Sequence, residues 1–272
     1  MKGIFVTLLM VVFGYLFLIA PRMYGKPDRS YLKGVLYAHR GLHDNATDAP
    51  ENSLKAIGLA VEEGYGIEFD VQLSKDKIPM VFHDFTLDRM CGINGKVCDY
   101  TAEELQNITL LDTDEIIPTL EQVLEMVAEK VPLIIEYKLE TADAAVCEIS
   151  NAILETYNGP YCIESFHPWA VKWYKENRPD VVRGQLSENF GKYPEKYKGI
   201  KFWIMKNLLT NFLTRPDFIA YCHEDVNVLS RRACSAMGAL PVAWTIRSQE
   251  QYESAKPHFE LFIFDSCIPE EK

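Results

Sequence analysis

No Cys-x-x-Cys pair occurs in this chain, which leaves little support for a zinc site, Cys222-His223 notwithstanding. Its cysteines, Cys91, Cys98, Cys147, Cys162, Cys222, Cys234 and Cys267, are odd in number and scattered. They read as reduced thiols rather than a disulfide framework. No glycine-rich phosphate loop follows the first apolar strand, which weakens an open doubly wound sheet. Short-period repeats and low-complexity tracts are lacking as well. Positive charge is scarce: 28 Lys and Arg face 39 Asp and Glu, for a net charge of −11. That balance argues against non-specific nucleic-acid binding and provides no general attraction to anionic lipid. Any membrane contact therefore needs a specific device.

Such a device stands at the start. Gly3 to Ala20 carries no charge and is rich in Leu, Val, Phe and Ile. As a helix it spans roughly 27 Å, near the thickness of a bilayer core. A cleaved signal peptide is the alternative, but Pro21 follows Ala20 and no small-x-small site precedes it. The reading is a transmembrane anchor over residues 1–21, a polar linker over 22–34, and one domain over 35–272. Arg22, Lys26, Arg29 and Lys33 follow the apolar run, whereas Lys2 and the amino terminus precede it. The positive-inside rule then favours a single-pass protein of the cell membrane with its domain on the cytoplasmic side.

Beyond the linker, apolar strands and helices alternate. Strands are expected at 35–39, 66–71, 132–138, 160–166, 181–187, 217–222, 240–246 and 260–264. Between them helices are expected from Glu51-Asn52-Ser53 to Gly64, at Thr119–Glu129, Ala142–Thr156, Pro168–Asn177, Lys201–Phe212, Val226–Met237 and Gln249–Ala255. A short helix at Thr101–Asn107 has Thr101 and Glu104 as a capping box. Eight strands with helical crossovers make an α/β fold of the (β/α)8 TIM-barrel type, with the apolar N-terminal helix outside it.

The stretch from Gly66 to Asp84 concentrates the chemistry. Glu68 and Asp70 are two apart, so on a strand they share a face. Two carboxylates on an apolar strand repel each other, and a hard divalent cation would hold them. Ser74-Lys75-Asp76-Lys77 reads as a turn. Folding back between Asp76 and Lys77 sets Asp70 opposite His83. Ile134-Ile135-Glu136-Tyr137-Lys138 puts Glu136 and Lys138 on one strand face. Glu68, Asp70 and Glu136 supply three oxygen ligands suited to Ca²⁺ or Mg²⁺. Arg40 and Lys138 suit a phosphate. His39 and His83 suit the acid–base pair of a phosphodiester cleavage.

Each residue also has a plainer reading. Glu68 and Asp70 alone could be salt-bridged, and a lone histidine is more often hydrogen-bonded in a core. His43, His223 and His258 are left to that reading, and His167 equally suits a helix cap. Trp244 packs a core or forms an apolar wall for substrate. Glu51 suits a helix first turn or braces Arg40.

These motifs resemble the glycerophosphodiester phosphodiesterase family. The resemblance rests on Ala38-His39-Arg40-Gly41, Pro50-Glu51-Asn52-Ser53, Ile67-Glu68-Phe69-Asp70-Val71 and Val81-Phe82-His83-Asp84. It continues in order through Ile117-Pro118-Thr119-Leu120, Glu136-Tyr137-Lys138, Ser165-Phe166 and Trp244-Thr245, and covers roughly residues 35–266. It implies a metal-dependent barrel that hydrolyses glycerophosphodiesters to glycerol 3-phosphate and an alcohol. His39 and His83 match the family's acid–base pair, Glu68, Asp70 and Glu136 its metal ligands, and Arg40 and Lys138 its phosphate-contacting cations. The resemblance also implies attack of the substrate's neighbouring hydroxyl on phosphorus, followed by opening of the cyclic phosphate by water. Ser53 stands for the family's usual Thr, and Asp76-Lys77 for its usual Asp-Gly. Two other readings stay open: a membrane-anchored lysophospholipase D-type enzyme acting on lipids, and a non-catalytic tethered barrel.

Overall fold

The computed structural model describes residues 2–270. Its strands are β1 (Leu36–His39), β2 (Gly66–Leu73), β3 (Pro79–Val81), β4 (Leu133–Tyr137), β5 (Tyr161–Ser165), β6 (Arg183–Ser187), β7 (Phe218–Cys222), β8 (Leu240–Ile246) and β9 (Leu261–Phe264). The helices are α1 (Lys2–Ile19), α2 (Leu54–Glu62), α3 (Asp88–Cys91), α4 (Ala102–Leu105), α5 (Leu120–Val127), α6 (Ala145–Leu154), α7 (Pro168–Asn177), α8 (Ile200–Lys206), α9 (Asn211–Thr214), α10 (Leu229–Ala236) and α11 (Gln249–Ala255).

β1 pairs in parallel with both β2 and β9, so the eight parallel strands close into a barrel and leave no open edge. That closure settles the choice against a doubly wound sheet. β3 lies outside the ring, antiparallel to β2, as the return arm of the hairpin.

Parallel strands buried on both faces read as apolar runs. Here the outward side chains pack under the helices, and the inward ones fill the barrel floor. Tyr37, Ile134, Phe218, Leu240 and Ile263 belong to that inner cluster. Two glycines make room for the large rings. A Cβ on Gly184 would fall 2.0 Å from the Phe218 ring, and one on Gly66 would fall 2.6 Å from the Tyr37 ring. Leu32, fully buried, closes the floor from below.

The stretch expected as a linker is docked onto the barrel. Arg22 Nη1 donates to the Pro179 carbonyl (2.7 Å), Arg29 Nη1 to the Asp217 carbonyl (2.7 Å) and Lys26 Nζ to the Gly238 carbonyl (2.6 Å). These acceptors precede the N-terminal ends of strands or sit at helix C-termini, so residues 21–34 underlie the barrel's bottom. The cations that follow the apolar run are thereby engaged with protein.

Helix ends differ from expectation where backbone chemistry intervenes. The stretch 201–212 is broken into α8 and α9, because Leu208 adopts φ 55°. α5 stops at Val127, because Ala128 and Glu129 are both left-handed. α6 begins only at Ala145, and α10 only at Leu229 after a 3-10 turn at His223–Asp225.

The hairpin register is the main correction. Val71 pairs with Val81 and Leu73 with Pro79, so the fold-back point is Asp76 itself. Asp70 therefore faces Phe82, whose amide donates to its carbonyl (3.0 Å), and not His83. The reason lies in the turn. The Ser74 amide donates to the Ile78 carbonyl (3.0 Å), leaving a three-residue loop whose last residue, Lys77, takes φ 68°. A left-handed third residue marks this loop type, and it shifts the register by one. The lysine where glycine is usual does adopt that conformation.

Candidate active site

The polar residues gather at the C-terminal ends of the strands, above the apolar floor. β1 ends in a tight turn that aims His39 and Arg40. Arg40 is left-handed (φ 57°), and its amide donates to the Glu68 carbonyl (2.7 Å). Gly41 follows at φ 83°, and a Cβ there would meet the Ala56 backbone at 2.7 Å. The turn can thus press against the start of α2 only with glycine at this position. Ser53 caps α2 by accepting from the Ala56 amide (3.1 Å), which frees Asn52 for the site. Asn52 Nδ2 donates to Asp70 Oδ2 (3.0 Å).

Glu68, Asp70 and Glu136 come together as expected. One oxygen from each lies within 4.8 Å of the others, and all three residues are buried. The Asp70–Glu136 register across β2 and β4 produces this directly. Lys138 lies against the cluster, 2.9 Å from Glu136 and 3.2 Å from Asp70. Arg40 Nε is 3.4 Å from Asp70.

The electrostatics fit a cation-binding cluster. Burial, followed by repulsion from Asp70, Glu136 and Glu164, pushes the Glu68 carboxyl well above its ordinary range. Burial also raises Glu136, against the pull of Lys138. Asp70 is buried too, but Lys138, His83, Arg40 and the Asn52 amide outweigh that and hold it well below its ordinary range. Four buried carboxylates, Glu68, Asp70, Glu136 and Glu164, meet here against two cations, Lys138 and Arg40, so the side chains carry more acidic groups than basic ones. Three hard oxygen donors with a surplus of charge fit Ca²⁺ or Mg²⁺.

His39 is 3.9 Å from Glu68 and 3.5 Å from Asp265. Burial, with Arg40 beside it, lowers His39 to about 4 against the help of Asp265. Its imidazole is therefore neutral near pH 7 and able to accept a proton. His83 Nδ1 is 2.6 Å from Asp84 Oδ1. Despite the shifted register, His83 remains near enough to contribute to the field at Asp70 and Glu136. Trp244 stands edge-on to Phe166 at 5.5 Å, on the apolar side of the mouth.

Several neighbours escape the sequence reading. Arg89 Nε donates to Asp84 Oδ2 (2.6 Å), and its two Nη atoms grip Glu51 (2.7 and 2.8 Å). Glu51 then accepts from Arg40 (2.6 Å), as the bracing role expected of it requires. An unbroken chain of charges thus joins His83, Asp84, Arg89, Glu51, Arg40 and Asp70. Nothing in the local pattern around Arg89 marks it. Glu164 lies in register with Glu136 and is buried, and burial together with Glu136 and Asp70 raises it well above its range. His43, left as a core histidine, sits 3.4 Å from Asp265. His167 caps α7 by accepting from the Trp169 amide (3.4 Å), the plainer of its two roles.

Two cavities open on this face. One, of about 990 Å³, includes His39, Arg40, His43 and Asp265 in its wall. The other, of about 710 Å³, runs from Glu136 and Lys138 to an apolar wall that includes Leu139, Phe166, Phe202 and Met205.

A sequence model of the glycerophosphoryl diester phosphodiesterase family matches residues 39–257. The chain belongs to that family. It is similar to YhdW of Bacillus subtilis strain 168, with 29% identity over 225 residues, covering 79% of this chain and 87% of the relative. It is also similar to glycerophosphodiester phosphodiesterase 1 of Homo sapiens, at 26% over 267 residues, 85% of this chain and 77% of the relative. Among solved structures, a phosphodiesterase from Oleispira antarctica superposes with a TM-score of 0.69 at 23% identity, covering 85% of this chain and 93% of that one. The chain is therefore an enzyme, a glycerophosphodiester phosphodiesterase on a TIM barrel, and the reading as a non-catalytic barrel falls away.

Proposed function

We propose that this glycerophosphodiester phosphodiesterase releases glycerol 3-phosphate and an alcohol, with Glu68, Asp70 and Glu136 holding a divalent cation and His39 and His83 moving the protons. The observation that carries this reading is the convergence of three buried carboxylates beside two histidines and two cations at the barrel mouth. The Oleispira antarctica neighbour, described in complex with the product sn-glycerol-3-phosphate, supports the substrate class.

When bound, the cation supplies Lewis-acid neutralisation of charge on the phosphoryl oxygens. Arg40 and Lys138 add fixed positive charge beside them. Neutral His39 takes the proton of the attacking hydroxyl. His83, held at Nδ1 by Asp84, presents Nε2 to donate to the leaving oxygen. If a cyclic phosphate forms, the same pair acts in reverse on water. Trp244 walls the apolar side of the substrate.

α1, uncharged after Lys2 and mostly exposed, is the proposed membrane anchor. The cytoplasmic side is favoured for the barrel, although Arg22, Lys26 and Arg29 are engaged by the barrel's bottom and weigh less as a flank. The apolar cavity beside Lys138 favours a second reading, a lysophospholipase D-type cleavage in which the acylated glycerol of a lysolipid keeps the phosphate and the head-group alcohol leaves.

The test is a metal-by-substrate screen on the full chain after chelation. Glycerophosphocholine and a lysophospholipid are each offered with Ca²⁺ or Mg²⁺. Turnover of glycerophosphocholine restored by either ion is the expected result. Turnover of the lysolipid alone selects the second reading, and turnover undiminished by chelation overturns the metal role.

A further inference from the structure

We infer that the mouth of the barrel is pressed onto the same membrane that α1 enters, so that the active site opens toward the bilayer surface; this rests on the reading of α1 as the anchor. The direction of α1 carries the inference. In a (β/α)8 barrel each outer helix starts at the mouth and runs down to the bottom. α10 does so between β7 and β8. Tyr15 of α1 reaches Ser230, near the start of α10. The Ile19 carbonyl accepts from Asn211 Nδ2 (2.9 Å) and lies 3.2 Å from Cys234 Sγ, one turn further down. Arg22 then donates its amide to the Pro216 carbonyl at the bottom (2.9 Å). α1 therefore descends alongside α10, and its N-terminal part, residues 2–14, rises past the mouth.

Residues 2–14 are exposed, whereas Ile19 and Ala20 are buried against the barrel, so the apolar part of α1 left free for lipid lies on the mouth's side of its contact with the barrel. Lipid that receives this part of α1 therefore faces the rim of the mouth.

The rim is built for contact with lipid. Flanking the line of α1, Leu229 at the start of α10 is 69% exposed, and Ile200 and Trp203 on α8 are 71% and 56% exposed. Trp169, in the first turn of α7, is also exposed. Large apolar residues at one end of a barrel, tryptophans among them, suit the headgroup boundary. Lys196, Lys198 and Lys201 on the adjoining segment would meet anionic headgroups. The apolar cavity beside Lys138 opens on this same side.

The test uses the full chain in vesicles of phosphatidylethanolamine and phosphatidylglycerol carrying nitroxide-labelled lipid. Native fluorescence should fall by roughly half or more when the label is within a bilayer half-thickness of Trp169 and Trp203. The quenching should weaken in W169F/W203F to what Trp244 at the mouth contributes, and Y24W added to that variant at the barrel's bottom should add none. In parallel, W203D/L229D should lower turnover of a vesicle-borne lysolipid roughly tenfold, through lost interfacial contact, and leave glycerophosphocholine turnover unchanged. Equal quenching at both ends, or none while the protein stays vesicle-bound after an alkaline wash, overturns the inference but leaves the anchor standing. Release by that wash removes the anchor reading and the inference with it. A second copy of the chain as the occupant would appear as a change in oligomeric state in W203D/L229D without any quenching, and would likewise overturn it.

Discussion

Replacing Glu51 by glutamine tests the charge chain that positions the site. Glu51 is buried and accepts from Arg40, from both Nη atoms of Arg89 and from Asn45. Burial opposes its charge, yet the Arg89 hydrogen bonds and the Arg40 charge bring its carboxyl from 4.5 down to about 2. At about 1.4 kcal/mol per tenfold change in proton affinity, that gap corresponds to roughly 3 kcal/mol of stability. Arg89 is half-exposed, so solvent screening trims the figure to about 2 kcal/mol. Glutamine keeps the shape but leaves Arg40 and Arg89 facing each other without an anion. In a chain of this size the melting temperature should drop by about 4–8 °C. The sign with pH follows from the lowered pKa. The stabilisation is complete above 4.5, where the unfolded carboxyl is already ionised, and is lost as pH falls toward about 2. Thermal unfolding followed by circular dichroism at pH 7 and at pH 3 measures both points. The reasoning fails if E51Q melts within a degree of the parent at pH 7, or if the difference widens toward acid.

Glu68→Ala and Glu136→Ala should each abolish metal-dependent activity with the fold retained, as read by turnover beside far-UV circular dichroism; normal turnover in either contradicts the cluster. His83→Ala should lower kcat at least on the order of 10²-fold, typical for a lost acid–base group, and a smaller loss assigns His83 to structure alone. Gly184→Ala should destabilise the barrel by about 1–3 kcal/mol through overpacking against Phe218. Denaturant unfolding would detect it, and an unchanged midpoint would mean the ring has room to move.

Much of the scaffold was legible because its signals are local. The eight strand segments announce themselves as short apolar runs, and the caps Ser53, Thr101 and Thr119 sit where the pattern of residues puts them. The carboxylate cluster was legible for a related reason: Glu68 and Asp70 share a face by strand alternation, and Glu136 repeats the device on a neighbouring strand. The hairpin register was not, since it turned on one backbone angle at Lys77 that composition does not specify. Arg89 was missed because its partners, Asp84 and Glu51, lie on different segments and meet only after the mouth is assembled.

By itself the sequence determined the alternation of strands and helices, the apolar floor and the acidic residues placed above it, because side-chain periodicity and burial follow from residue type and spacing. Only the tertiary structure decided which charges touch, how the turn before His83 closes, and along which side of the barrel α1 runs. Those outcomes depend on contacts between segments far apart in the chain, where small differences in backbone angle or register choose one partner over another.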